Sequence, residues 1–228
     1  MKKDYIDVVY NEIDRPFTAY PKKLTNYLSK KYNIKKGNIL LELGCGRGEF
    51  LKGFIDIGIN CYGVDLSENA KKMCPSAHIS KVNLQEQQLP FEDNFFDFVY
   101  SKSFVEHFYH PEKIFEESHR VLKLGGKLIT LTPDWESIYK IFYEDYTHRT
   151  PFTINSLKEI HLIHGYKNVK VERFRQLPII WRKDGGYNNF FTLLSKITSF
   201  IAPNTLKKNF KWIKFSKEVM LLSSAEKE

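Results

Sequence analysis

Residues 38–43 read "NILLEL", and glycines stand at 44, 46 and 48 directly afterwards, ahead of a helix-forming "EFLKGF". An apolar run of that length suits a buried strand, and three glycines within five positions let the chain turn sharply and come very close to whatever lies against it. Strand, glycine turn and helix make the opening of a βα unit, and the pattern recurs. Apolar runs follow at "CYGVDL" (61–66), "ISKVNL" (79–84), "FDFVYS" (96–101) and "GKLITLT" (126–132), with helical patterns between most of them. In "HPEKIFEESHRVLKLGG", Pro111 suits a first helical turn, Ile114, Phe115, Val121 and Leu122 share a face, and Gly125 is placed to end the helix. Strands alternating with helices predict an α/β fold with a mainly parallel sheet covered on both faces. Two further strands, "VKVERF" (169–174) and "VMLLSSA" (219–225), are separated by a long insert and bring the number to seven.

With 228 residues and a hydrophobic fraction of 42%, the chain suits one large domain, and two independent ones would be cramped. Charge is divided unevenly. Residues 1–165 hold 22 Lys/Arg against 22 Asp/Glu, and residues 166–228 hold 13 against 5, so the whole net charge of +8 lies in the last stretch. Such a stretch attracts phosphate, nucleotide, nucleic acid or membrane, or is simply a solvated lysine-rich surface. The N-terminal "MKKDYIDVVYNEIDRPF" is broken by Asp4, Asp7 and Glu12, so it has no secretory core, and no run reaches the ~18 apolar residues of a membrane span. A cytoplasmic location is expected. Cys45, Cys61 and Cys74 form no C-x-x-C pair, which suits reduced thiols and offers no zinc pattern.

A glycine turn at the C-terminal end of a first strand is where open α/β sheets bind ligands. The dinucleotide fingerprint fails because Glu49 occupies its third glycine position, and the Gly-Lys-Ser/Thr of a P-loop is absent. The spacing present is Glu42-x-Gly44-x-Gly46-x-Gly48. With "GVDLS" after the second strand, "VNLQEQQLPFEDNFFDFVYSKSFVEHF" and "RVLKLGGKLITLTP", it resembles the class I S-adenosylmethionine-dependent methyltransferases. The likeness is close over about 35–135 and nearest to the branch containing the ubiquinone and menaquinone methyltransferases.

The resemblance implies a Rossmann-like fold with a seven-stranded, mainly parallel sheet, helices on both faces and a C-terminal helical insert. It divides a single domain of 1–228 into a helical N-terminal cap (1–36), a cofactor-binding core (37–135) and an acceptor-side half (136–228) with a basic, aromatic insert at 188–212. It implies binding of S-adenosyl-L-methionine and release of S-adenosyl-L-homocysteine. Gly44, Cys45, Gly46 and Gly48 are expected to line methionine and ribose, and Asp65 with Leu66 to hold ribose and adenine. Asn83 and Leu84 flank the adenine, Glu42 orients the loop or receives the amino group, and Ser101 and Lys102 lie near the methionyl moiety. Read without the resemblance, the glycines are a tight turn and Asp65 an acid at a helix start.

Methyl transfer to a hydroxyl also needs a proton removed, and histidine suits that role near neutral pH. His107, after the fourth strand, is one candidate base, and a half-buried histidine holding its loop is the alternative. A second candidate, His148, lies in "YEDYTHRTPFT", a stretch that resembles methyltransferases of capsule, lipopolysaccharide and other surface-glycan pathways. There Asp145 and Arg149 are expected to reach the acceptor, Arg149 suiting a phosphate or carboxylate; the alternative is a solvated segment with Thr153 capping a helix. His161 and His164 share a helix face but have no acidic or cysteine partner at metal spacing, so no metal is expected.

In the insert, Phe190, Leu193, Leu194, Ile197, Phe200 and Ile201 recur at helical spacing, and Lys207, Lys208, Lys211 and Lys214 follow. It is expected to cap the acceptor site, with peripheral attachment to an anionic membrane as the alternative. The acceptor is expected to be a small molecule or sugar, phosphorylated or not. A quinone precursor and an amino alcohol phosphate remain alternatives, as does a catalytically silent binding protein. A nucleic acid is not expected: the Asp/Asn-Pro-Pro-Tyr/Phe/Trp signature is missing after the fourth strand, where the chain reads "SKSFVEH", and no Pro-Cys pair is present. Neither oligomeric state nor the choice of O- or N-methylation follows from the sequence.

Overall fold

The structure, a computed structural model, describes residues 16–228. The helical cap expected over 1–36 is therefore described only from its helix α1 (Tyr20–Tyr32) onward, and 1–15 lie outside the described residues. The remaining helices are α2 (Glu49–Ile55), α3 (Ala70–Met73), α4 (Glu112–Val121), α5 (Trp135–Ile138), α6 (Ile154–Ile163), α7 (Asn189–Ile201) and α8 (Lys211–Lys217). Strands β1 (Ile39–Leu43), β2 (Asn60–Asp65), β3 (His78–Lys81), β4 (Phe96–Lys102), β5 (Leu122–Pro133), β6 (Tyr166–Phe174) and β7 (Met220–Lys227) form one sheet in the order β3-β2-β1-β4-β5-β7-β6. The first five run parallel to one another, and β7 runs antiparallel between β5 and β6.

Period-two alternation decides which face each side chain enters. In β1, Leu40 joins Phe98, Tyr100, Ile129 and Leu131 in a core layered under α1 and α2, while Leu41 and Leu43 join Val99, Leu128 and Phe115 in the core on the other face. A strand covered on both sides reads as an unbroken apolar run for this reason. The register brings the ends of β1, β2 and β4 level, Leu43 pairing with both Val64 and Ser101. Their C-terminal edge is thus one continuous rim, and reversal of order at β1 opens a crevice there.

Gly125 does not end a helix. The chain passes from Val121 straight into β5, where the register jumps between Phe96 and Phe98, and Gly125 (φ +75°) turns the extra residues of that bulge. Pairing with β4 therefore begins at Leu122, which ends α4 before Gly125 is reached.

Candidate active site

The crevice at the rim is a cleft of about 640 Å³. Its floor begins where β1 stops: the amides of Gly44 and Cys45 both donate to the Val64 carbonyl, at 2.8 and 3.1 Å, which curls the loop over the end of β2. Gly44 has φ +69°, and a Cβ there would meet the Phe104 ring at 2.3 Å. Gly46 has φ +50°, and a Cβ there would meet no protein atom within 4 Å but would stand in the cleft that this residue lines. The two glycines thus serve different ends, one admitting the loop after β4 and the other keeping the cleft clear. Gly48 caps α2 and packs on Ala70 and Cys74 instead of lining the cleft.

Asp65 closes β2 and clamps the loop: one carboxylate oxygen accepts from Gly46 N at 2.9 Å and the other from Ser67 N at 3.0 Å. Glu42 lies on the cleft wall yet is 2% exposed, and its Oε2 is buried without a hydrogen-bond partner. Burial, reinforced by the charge of Asp65, pushes its carboxyl well above the usual range. Cys45, Leu66, Asn83, Leu84 and Lys102 also line the cleft. Ser101 does not: its side chain is fully buried, with Oγ 3.4 Å from Oγ1 of the neighbouring Thr130.

Across the cleft, a turn at Val105–His107 meets the segment before α6. The amides of Arg149 and Thr150 donate to the Glu106 carbonyl, at 2.7 and 3.1 Å, and Thr150 Oγ1 donates to the Phe108 carbonyl at 2.7 Å. This docking joins the two histidine candidates, whose rings lie 5.0 Å apart. They are not equivalent. His107 lines the cleft together with Arg149, whereas His148 and Asp145 stand behind it. Thr147 Oγ1 donates to Asp145 and has a single proton, so it accepts from Nδ1 of His107 at 2.9 Å, which assigns the Nδ1–H tautomer to the ring. Burial, with the nearby His148, lowers the His107 pKa below its ordinary value. Burial of Asp145 is overcome by the hydroxyl and amide of Thr147, which hold its carboxyl below the usual range. His148 donates from Nδ1 to the Phe142 carbonyl at 2.7 Å.

Glu106 is fully buried, accepts from Thr132 at 3.0 Å and leaves Oε1 without a partner; burial pushes its pKa up to about 7. One ligand atom each of Glu106, His107 and His148 lies within 4.8 Å of the others, a set of metal-ligating types that the sequence reading did not assemble. Among the described residues, His161 and His164 belong to no such set. His161 is buried with Nδ1 donating to the Leu157 carbonyl at 2.6 Å, and burial lowers its pKa to about 4. Thr147 and Tyr146 of the cleft wall also escaped the sequence reading, although the stretch around them carried the signal.

The insert expected to cap the acceptor site packs elsewhere among the described residues. Among the described residues none of 188–212 lines the cleft; α7 packs on α8 and on the turn at Pro178–Ile180.

Comparison with known proteins matches residues 41–130 to the methyltransferase domain family. An uncharacterized protein of Methanocaldococcus jannaschii is 35% identical over 61% of this chain and 69% of its own length. Phosphoethanolamine N-methyltransferase 2 of Caenorhabditis elegans is 29% identical over 64% of this chain, which spans only 37% of that enzyme. Among solved structures, phosphoethanolamine N-methyltransferase 2 of Haemonchus contortus, in complex with phosphomonomethylethanolamine and S-adenosylhomocysteine, superposes with a TM-score of 0.67 at 19% identity, over 98% of this chain and 59% of that one.

Proposed function

Since this chain belongs to the class I S-adenosylmethionine-dependent methyltransferases, we propose that it methylates a small phosphorylated acceptor at a hydroxyl or amine, with His107 as the proton acceptor. The residues fit the methyl donor. Gly46 leaves its share of the cleft clear, and the unpartnered Oε2 of Glu42 offers a polar contact at the floor. When bound, S-adenosylmethionine supplies an electrophilic methyl group on a sulfonium. Gly44, Cys45 and Gly46 would hold its amino acid end, Asp65 and Leu66 its ribose, and Asn83 and Leu84 its adenine. A carboxylate accepts about four hydrogen bonds, so Asp65 can clamp the loop and receive ribose hydroxyls together.

The observation that carries the acceptor side is the chain Asp145–Thr147–His107, which ends on a ring that shares the cleft wall with Arg149. The carboxylate and hydroxyl fix the ring and its tautomer, and the Nε2 lone pair receives a proton from the acceptor. Arg149 has no acidic partner among the described residues; its Nη1 donates to two backbone carbonyls and its guanidinium lies 5.1 Å from the Tyr109 ring. A planar guanidinium held in this way suits a phosphate or carboxylate. Positioning of acceptor and donor can account for roughly 7 to 11 kcal/mol of the barrier, and proton removal adds about a hundredfold to ten-thousandfold.

An amino alcohol phosphate and a phosphorylated or nucleotide-linked sugar of surface-glycan synthesis both meet this description, and the nematode relatives support the first. The test is a screen of purified protein against both classes and against unphosphorylated quinone precursors, with mass detection of the added methyl group. Methylation of a phosphorylated compound, reduced by Arg149→Gln mainly through KM, is expected. Turnover of quinone precursors alone would overturn the reading.

A further inference from the structure

The insert between β6 and β7 is built inside out. Helix α7 packs on α8 through small polar side chains: Ser195 Oγ donates to Ser216 Oγ at 2.8 Å with both residues fully buried, and Trp212 Nε1 donates to Thr198 Oγ1 at 2.9 Å. Lys217 Nζ completes the seam on the Ser199 carbonyl at 2.8 Å. Six of the seven large apolar side chains of α7 are exposed, Phe191 being half-buried. Phe200 is 91% exposed, Phe190 and Ile201 each 69%, and Leu193, Leu194 and Ile197 between 41% and 59%. A water-facing helix places these two sets the other way round.

Charge identifies the surroundings that such a face suits. Residues 188–217 contain six lysines and no Asp or Glu, with Lys196, Lys211 and Lys214 exposed. Beneath the insert, on the same rim of the sheet as the active-site cleft, lies a second cavity of about 470 Å³. Lys140, Arg173, Arg175, Lys207 and Lys217 line it, and no acid does. Arg173 is paired with Asp134 and Glu136, and Lys207 with Glu218. Arg175 has no ion-pair partner among the described residues, and its Nε is buried without a hydrogen bond. Among the described residues no helix is long and apolar enough to cross a membrane, and α7 has 13 residues.

We propose that the α7–α8 insert seats this protein on an anionic bilayer, with the apolar face of α7 at the acyl boundary and the cavity around Arg175 receiving a lipid headgroup phosphate. Lysines flanking a face of large apolar side chains are the makeup of a helix lying in the plane of a membrane interface. The proposal is independent of the acceptor, since the insert lines no part of the active-site cleft.

Co-sedimentation of the full chain with vesicles tests it. Binding is expected to vesicles of phosphatidylcholine mixed with phosphatidylglycerol, to be much weaker on phosphatidylcholine alone, and to fall as salt rises. The triple variant Phe190→Ser, Phe200→Ser, Ile201→Ser is expected to partition at least about tenfold less. Arg175→Gln should lose about fivefold, and on anionic vesicles only. Both variants should bind S-adenosylhomocysteine as the wild type does, which shows that they are folded. Equal binding to both vesicle types, or to neither, overturns the proposal. So does a wild-type dimer in lipid-free sedimentation that the triple variant abolishes, because the face would then join two protein molecules. Thermal stabilisation by glycerol phosphate that Arg175→Gln removes, without vesicle binding, would assign the cavity to a soluble phosphate.

Discussion

The cleft over β1, β2 and β4 is walled by glycine backbone and by both signs of charge, Glu42, Glu49 and Asp65 with Arg47 and Lys102, whereas the cavity beside β6 and β7 is walled by five cationic side chains and no acid. Both open on one rim of one sheet. In the first region the connections are short and every apolar strand residue enters one of two cores, so the chain has little choice about where its polar groups go. In the second, the path from Phe174 to Met220 runs through an insert that buries serines and exposes phenylalanines. Full burial of one such side chain is worth about 1.5–3 kcal/mol, so the outward face of α7 represents a driving force that folding of this chain alone leaves unused. The comparison separates a part whose apolar side chains are spent on two cores from a part that turns them toward its surroundings.

The largest effect that would sharpen this division belongs to the proton. His107→Ala is expected to lower kcat by about a hundredfold or more with S-adenosylhomocysteine affinity unchanged by calorimetry, while His148→Ala costs less because its ring stands behind the cleft. Near wild-type kcat in both variants would remove the base from this wall. Asp65→Ala follows: loss of charged hydrogen bonds at about 1.5–3 kcal/mol predicts affinity for S-adenosylhomocysteine weaker by roughly tenfold to a hundredfold. An unchanged affinity would confine Asp65 to its clamp on Gly46.

Smaller effects probe the relay. Thr147→Val removes the acceptor for His107 Nδ1, and kcat should fall by about tenfold with KM little altered. The wild-type pH profile carries the same information. A base at His107 would act when neutral, and burial, with His148 nearby, lowers its pKa, so kcat should be level at neutral pH and fall only as acidification passes below the ordinary imidazole value of about 6.5. An acid limb above that value would point to another base. Chelator treatment should leave kcat within about twofold; a loss restored by a divalent ion would assign Glu106, His107 and His148 to metal-assisted activation of the acceptor instead. The smallest effect is expected from the insert: the triple serine variant of α7 should turn over a soluble acceptor within about twofold of wild type, since its face touches no reacting group. A large loss would return the insert to the role of an acceptor cap.

Much of the first region was legible residue by residue. The glycine spacing, Asp65 at the end of a strand, and the apolar runs at 38–43 and 96–101 are signals carried by neighbouring residues, and neighbouring residues determine turns, caps and strand faces through backbone sterics and side-chain alternation. Gly125 shows the limit of that reading, because a strand partner claimed Leu122 before a helix cap could form. Position after the fourth strand put His107 ahead of His148, but what holds its ring lay beyond that reading. Thr147 meets His107 across 40 positions of sequence, through backbone hydrogen bonds from Arg149 and Thr150 to Glu106 that no local pattern announces. The orientation of α7 was equally hidden: periodicity marked its apolar face at Phe190, Leu193, Ile197 and Phe200, but whether that face turns inward depends on what else packs there. Ser195 and Ser216 took the inner position, so the sequence by itself determined the sheet, the loop and the stripe, while only tertiary contacts decided which histidine faces the cleft and which side of the insert meets the surroundings.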